Sequence, residues 1–348
     1  MNKLNDKEIF ACLFILQLVA SFLVYVGHYT ASLTHLTPPT LWESALNQTA
    51  RYGTVLLAII TGFFTAHSLH GKKAKAAPYF KGKLYYILIP FLLAGVVYHK
   101  VLHGAWPHFQ HHFENILLGN TGRHLYFVFM LFQYYVFAYL FRNLITKKTI
   151  YLFIPVFVVF QFLFIRGYSG WIDLNVRHFL PTWIFTIYTG HLLYWYRTQI
   201  ITQLRRNKKL LSLLTLLFIG SWIYFVFSEQ LFVANHLSFV FSSITLLVTA
   251  WVLLTQVIHK VHLRFQKGMT FYIFLSHSAF INFANKYFLY RYGYTDLLIQ
   301  SKWFYLLYLG AIFVITLIFS YFLALIVNRL LSGNTRKENK SGRQSAAV

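Results

Sequence analysis

The chain has 348 residues, of which 57% are hydrophobic, 20% aromatic and only 11% charged, with a mean hydropathy of +0.54. Soluble domains carry roughly 25% charged residues, so this composition excludes a disordered chain and argues against a water-soluble globule. Thirty-one Lys+Arg against eight Asp+Glu give a net charge of +23, and the single cysteine, Cys12, excludes a disulfide framework and a cysteine-built metal site.

A bilayer-crossing helix needs about 20 mostly apolar residues. Ten such stretches follow one another at 8–28, 52–70, 83–101, 124–142, 149–166, 178–197, 209–228, 236–257, 268–289 and 303–330. None alternates in the manner of an outer-membrane strand. The expected fold is therefore all-α: a polytopic integral membrane bundle of about ten helices. With both termini cytoplasmic, 23 basic residues fall in inner segments and eight in outer ones, which is the asymmetry that positive charge imposes on membrane topology. The charge then reports orientation in a lipid bilayer, and nucleic acid is not an expected partner. One transmembrane domain over 1–331 and a basic, disordered cytoplasmic tail over 332–348 are expected. The first span is longer than the apolar core of a signal peptide and reads as retained.

Chemistry along the chain begins in the first span. Gln17, Ser21, Tyr25 and His28 follow at spacings of 4, 4 and 3, and eleven residues advance a helix by three turns plus about 20°, or about 16 Å. A polar stripe on an apolar membrane helix faces protein or water. It is either a hydrogen-bonded seam between helices or a polar path to a histidine base, since imidazole takes and returns protons near neutrality. Asn47-Gln48-Thr49 is a glycosylation acceptor pattern. The inner loop Lys72-Lys73-Ala74-Lys75, followed by Lys81 and Lys83, is a topology signal that also suits a phosphate-bearing ligand. His99, His103, His108, His111 and His112 crowd an outer loop, where His99 and His103 have metal-ligand spacing on a helix but also suit an interface. Trp42, Trp106, Trp171 and Trp195 fall near span ends, as belt residues do. His277 lies mid-span beside Ser276, which points about 100° away and forms no hydrolase pair. No acidic residue lies deep in a span, Glu229 being just past an end, and this disfavours a cation-driven pump. Phosphate-loop and dinucleotide fingerprints are absent, so ATP hydrolysis and NAD use have no support.

These residues resemble the acyltransferase-3 family of multispanning membrane proteins. That family places a basic residue, ten intervening residues and a catalytic histidine on its first span; here the frame is Gln17 and His28, with an amide where the charge is usual. Arg51 and Gly62-Phe63-Phe64 are similar to its second span. Phe80-Lys81-Gly82-Lys83 through Pro90 is similar to its basic entry to the third, with Tyr86 where a second Arg is usual. Leu125-Tyr126-Phe127 through Gln133-Tyr134-Tyr135, Tyr188-Thr189-Gly190-His191-Leu192 and Phe271 through His277 are similar to later signatures. The order holds over about residues 8–330. The phrasing Tyr86 to Pro90 and Asn115 to Gly119 is similar to the branch associated with poly-N-acetylglucosamine intercellular adhesin synthesis.

The resemblance implies a membrane O-acyltransferase in the cytoplasmic membrane of a bacterium. It would move acetyl or succinyl from cytoplasmic acyl-CoA to a cell-surface polysaccharide, beside a glycosyltransferase or synthase complex. His28 would be the catalytic base, and Gln17, Arg51, Lys81, Lys83, Tyr126 and His277 would contact substrates. No tightly bound cofactor or metal is expected; acyl-CoA is a co-substrate. An exporter of polysaccharide or lipid-linked sugar is the alternative, and a histidine-rich metal sensor a third.

Overall fold

The computed structural model describes residues 6–70, 75–170, 172–228, 236–258 and 266–344. Lys72, Lys73, Trp171, Glu229 and the end of the tail lie outside the described residues. Among the described residues all regular structure is helical. The helices are α1 (Asp6–Leu33), α2 (Leu41–Ala50), α3 (Tyr52–His70), α4 (Ala76–Lys83), α5 (Ile89–His103), α6 (Phe109–Leu118), α7 (Tyr126–Leu140), α8 (Ile150–Gly167), α9 (Ile184–Arg206), α10 (Lys208–Phe227), α11 (His236–Val257), α12 (Met269–Ala284), α13 (Thr295–Gln300) and α14 (Lys302–Gln344). A π-helical turn, Leu84–Leu88, joins α4 to α5, and another, Asn285–Tyr290, follows α12.

Seven helical stretches among the described residues are long and apolar enough to cross a membrane: Asp6–Leu33, Leu41–His70, Ala76–His103, Ile150–Gly167, Lys208–Phe227, His236–Val257 and Lys302–Leu331. The other three expected spans are helical too, but they differ in length or composition. The helices α7 and α12 have 15 and 16 residues. α9 has 23, yet carries Thr186, Thr189, Gly190 and His191. Its stretch 184–191 is buried on every side, so it has no need of a lipid-compatible surface.

The chain forms two compact units, Met1–Val261 and His262–Val348. In the first, α3 is the centre. It runs antiparallel to α1, as Phe10 against Phe63 and His67 shows, and parallel to α9, as Phe63 and His67 against Tyr194 show. Gly62 and Gly190 set the α3–α9 approach. A Cβ at Gly62 would lie 1.9 Å from the Ile187 carbonyl oxygen, and one at Gly190 would lie 2.1 Å from that of Ile59. Small residues let membrane helices meet backbone to backbone, and only glycine fits here. Hydroxyls tie the next layer: Tyr52 to Ser242 at 2.8 Å and Ser242 to Ser221 at 2.6 Å join α3, α11 and α10. Arg197 on α9 forms a two-pronged ion pair with Asp6 on α1, at 3.2 and 3.3 Å. In the second unit α12 packs on α14, with Ser276 and Ser320 at 3.3 Å.

Candidate active site

The antiparallel and parallel pairings give the first unit two ends. One gathers the end of α1 and the starts of α3, α7 and α9; the other gathers Asp6, the ends of those three helices, and α4. His28 belongs to the first end. On its stripe Ser21 and Tyr25 are fully buried, whereas Gln17 and His28 are half-buried. Ser21 returns its hydroxyl to the Gln17 carbonyl at 2.9 Å, and Tyr25 stacks between Phe22 and Tyr29. The stripe therefore faces protein.

His28 meets His124, which the sequence analysis did not single out. The rings stand edge to face, centroids 5.5 Å apart, and His124 is buried against Tyr98 at 5.1 Å. A tight turn puts His124 there. Gly119 ends α6 with φ +77°, and the chain folds back so closely that a Cβ would lie 2.7 Å from the Leu125 carbonyl. Arg123, exposed beside it, is near enough for its charge to act on His28.

A second wall comes from the loop before α9. Tyr126, at the start of α7, is hydrogen-bonded to Arg177 and packs on His178 with centroids 5.4 Å apart. Arg177 is also within electrostatic reach of Arg51, half-buried at the end of α2, and of His236. A half-buried amide, Gln133, holds this loop, and a buried one, Gln161, holds the start of α9 after it. Gln133 donates to the His178 carbonyl at 2.7 Å and accepts from the Leu180 N–H at 3.0 Å. Gln161 accepts from the Phe185 N–H at 3.0 Å, meeting one of the orphan donors at the start of α9. Trp183 donates to the Arg177 carbonyl at 3.0 Å. His178 contacts the Asn175 carbonyl through Nδ1 at 3.1 Å and the Asn120 side-chain amide through Nε2 at 3.0 Å. Burial pushes this imidazole below its ordinary value of 6.5, against the opposing pull of the Asn175 carbonyl.

The expected basic residues separate. Lys83, half-buried at the opposite end, lies over the Tyr135 ring at 4.2 Å and that of Tyr79 at 5.4 Å. Tyr79 stacks on Tyr139 with centroids 5.4 Å apart. Lys81 is exposed. Deeper in, Tyr134 and His191, fully buried, meet at 2.5 Å between hydroxyl and Nε2. His277 belongs to the second unit, buried on α12 with Nδ1 at 3.1 Å from the Ile273 carbonyl. In the histidine-rich loop, His99 packs on His103 and His112, and the Nδ1 atoms of His99 and His112 face backbone carbonyls at 3.1 Å. Asn47, of the glycosylation pattern, uses its amide to bind Thr30 at 2.6 Å.

The arrangement is thus an arginine- and histidine-lined end built around His28 and a lysine-bearing aromatic end, both on helices that run the length of one unit. Residues 11–325 match the acyltransferase-3 family, described as an acyltransferase domain. The chain belongs to that family and, with its apolar helices, is a multi-pass membrane acyltransferase. No curated protein and no solved structure matches it.

Proposed function

We propose that the protein is a membrane O-acyltransferase that carries an acetyl or succinyl group from cytoplasmic acyl-CoA to a hydroxyl of an extracytoplasmic cell-surface polysaccharide, in the cytoplasmic membrane of a bacterium. The carrying observation is the pairing of His28 with His124 at the arginine-lined end, while Lys83 sits at the opposite, lysine-bearing end of the same unit. In this reading ten spans with both termini inside put Lys83 in the cytoplasm and His28 toward the outside. The phosphates of acyl-CoA dock at Lys83 and Lys81, and the arm rises past Gln17.

His28 takes the proton of the sugar hydroxyl, and the oxygen attacks the thioester carbonyl. The C–S bond then breaks, and the imidazolium returns its proton to the departing thiolate. The products are an ester and free CoA, with no acyl-enzyme. Tyr126, bonded to Arg177, supplies a donor to the oxyanion, Gln17 lines the course of the arm, and Arg51 lines the acceptor side.

The test is acyl transfer from labelled acetyl-CoA and succinyl-CoA to polymer in membranes containing wild type or His28→Ala. Loss of transfer with normal membrane abundance is expected; retained transfer refutes the base. Polymer from a deletion strain separates acylation from export: secreted polymer lacking ester groups supports transfer, and polymer held inside the cell refutes it.

A further inference from the structure

The histidine-rich segment joining α5 to α6 builds a cluster that the proposed chemistry does not use. The sequence puts His99 and His103 one turn apart on α5, on one face. The structure adds His112 from α6: its ring centroid lies 4.3 Å from that of His99, and the His103 centroid lies 4.7 Å from the same ring. Local backbone fixes two of the three rings. α5 gives way to Gly104 in the left-handed region, φ +72°, and the chain turns back so that the Ala105 carbonyl meets His99 Nδ1 at 3.1 Å. His112, one turn into α6, meets the His108 carbonyl through Nδ1, also at 3.1 Å. The Lys100 ammonium, next in sequence to His99, donates to the Gly104 carbonyl at 2.6 Å and lies over the Trp106 ring at 5.6 Å. His99 is buried, His112 half-buried and His103 exposed, so the cluster reaches the protein surface.

A carbonyl oxygen only accepts, so Nδ1 of His99 and of His112 carries the proton and Nε2 the lone pair. This is the tautomer of a metal-bound histidine, whose second nitrogen donates to a backbone carbonyl or a carboxylate and so fixes the ring. Among the described residues no hydrogen bond occupies Nε2 of either ring, or either nitrogen of His103. The spacing fits as well. With metal–nitrogen bonds of about 2.0–2.1 Å and tetrahedral angles, two imidazoles on one ion stand about 5 Å apart between centroids. The observed 4.7 and 4.3 Å fall within about 1 Å of that, and His103 and His112, neither of them buried, can turn toward a common point. We propose that His99, His103 and His112 bind a divalent transition-metal ion of the zinc type, with Nε2 of His99 and His112 as two of the ligands. Three imidazoles and a water complete a four-coordinate shell, whereas magnesium and calcium seek oxygen ligands and are not matched. The ion would tie the end of α5 to the start of α6, the helix whose Gly119 turn delivers His124 to His28. The inference does not depend on the acyl-CoA reading above.

The experiment titrates zinc, with magnesium for comparison, into the purified full chain, freed of any affinity tag and stripped of metal with EDTA, and follows binding by calorimetry. The expected result is one zinc ion per chain, a raised melting temperature and no binding of magnesium. His103→Gln and His112→Gln each remove a ligand outside the buried interior. Each should weaken zinc binding by at least about 10-fold, since even the hydrogen-bond partner behind a ligand is worth about 10–100-fold. Without metal both should melt with wild type, and either one suffices should the other fold poorly. His111→Gln is the control: it neighbours His112 on α6 but points about 100° away, so zinc affinity should change by less than about 3-fold. A wild-type chain that does not bind zinc, or a folded His103→Gln or His112→Gln that binds it as wild type does, overturns the inference. An equal loss in His111→Gln also overturns it, by showing a diffuse histidine-rich surface in place of a built site. Each of these outcomes leaves the acyl-CoA reading standing.

Discussion

The approach of α3 to α9 gives the most quantitative prediction. In Gly62→Ala the new methyl would sit 1.9 Å from the Ile187 carbonyl oxygen, where ordinary contact begins near 3.4 Å, a shortfall of about 1.5 Å. The obstacle is backbone, so no side-chain rotation relieves it. The helices must separate by on the order of 1 Å, which loosens their interleaved contacts. Overpacking typically costs 1–3 kcal/mol, and a backbone obstacle puts this case at about 3. Gly190→Ala meets the Ile59 oxygen at 2.1 Å and the Phe63 nitrogen at 2.5 Å, so it should cost about the same. Since both methyls fill one gap, the double variant should cost clearly less than the sum of the two. Gly220→Ala on α10, with nothing within 4 Å, is the control and should be neutral or slightly stabilising. Thermal unfolding in detergent, followed by the loss of monodisperse protein, reads all four. If Gly62→Ala and Gly190→Ala unfold with the Gly220 control, or their effects simply add, the close approach is not what holds these helices.

Gln133→Leu strips two hydrogen bonds from the loop that carries Arg177 and His178. It should lower stability by about 2–4 kcal/mol, since two buried backbone groups lose partners, and lower acyl transfer more than a variant equally destabilised elsewhere. Lys83→Gln should raise the KM for acyl-CoA by about 10–100-fold, as a lost charge-assisted contact does, whereas exposed Lys81→Gln should change it by less than about 3-fold; steady-state kinetics with varied acyl-CoA decides. His178 makes stability depend on pH. Its folded pKa lies below 6.5 because of burial, so above 6.5 neither folded nor unfolded chain holds the proton and nothing is lost. As pH falls below 6.5 the unfolded chain binds a proton that the folded chain refuses, and stability declines by up to about 1.4 kcal/mol per pH unit until the folded pKa is reached. Melting at pH 7.5 and 5.5 should therefore show a larger acid loss for wild type than for His178→Asn; equal losses would refute this role.

Much of the architecture was legible because burial in a membrane writes itself into composition. Long apolar runs became helices, and Ser21 and Tyr25 of the polar stripe proved to be buried against protein, as polar side chains on a membrane helix are. The apolar criterion weakens where a helix is surrounded by protein, and α9 is the case in point: Thr186, Thr189 and His191 are tolerated there because no lipid touches that stretch. His124 was illegible for another reason. A lone histidine ahead of an aromatic run reads as interface, and its neighbour His28 is 96 positions away, brought close only by the turn at Gly119. Arg177 counted as one more outer charge, since nothing periodic in a loop announces that a distant glutamine, Gln133, will hold it beside Tyr126. Lys81 and Lys83, equivalent in the sequence, diverge because two residues turn a helix by about 200°, leaving one exposed and the other over Tyr135.

The two ends of the first unit depend on a single element. α9 begins under the amide of Gln161, directly after the loop that presents Arg177 and His178. Midway it touches α3 at Gly190; next to that contact stands His191 and one turn later Trp195; then Arg197 reaches Asp6. Its parallel course with α3 means that any outward shift at Gly190 displaces His191 directly and the arginine-lined loop through the helix start. A lever of this kind makes the glycine pair diagnostic of function as well as stability. Gly190→Ala should slow transfer at saturating acyl-CoA, in protein that is still folded at the assay temperature. Should transfer stay at the wild-type rate, α9 does not move as a rigid rod, and the loop before it is built independently of the Gly62–Gly190 contact.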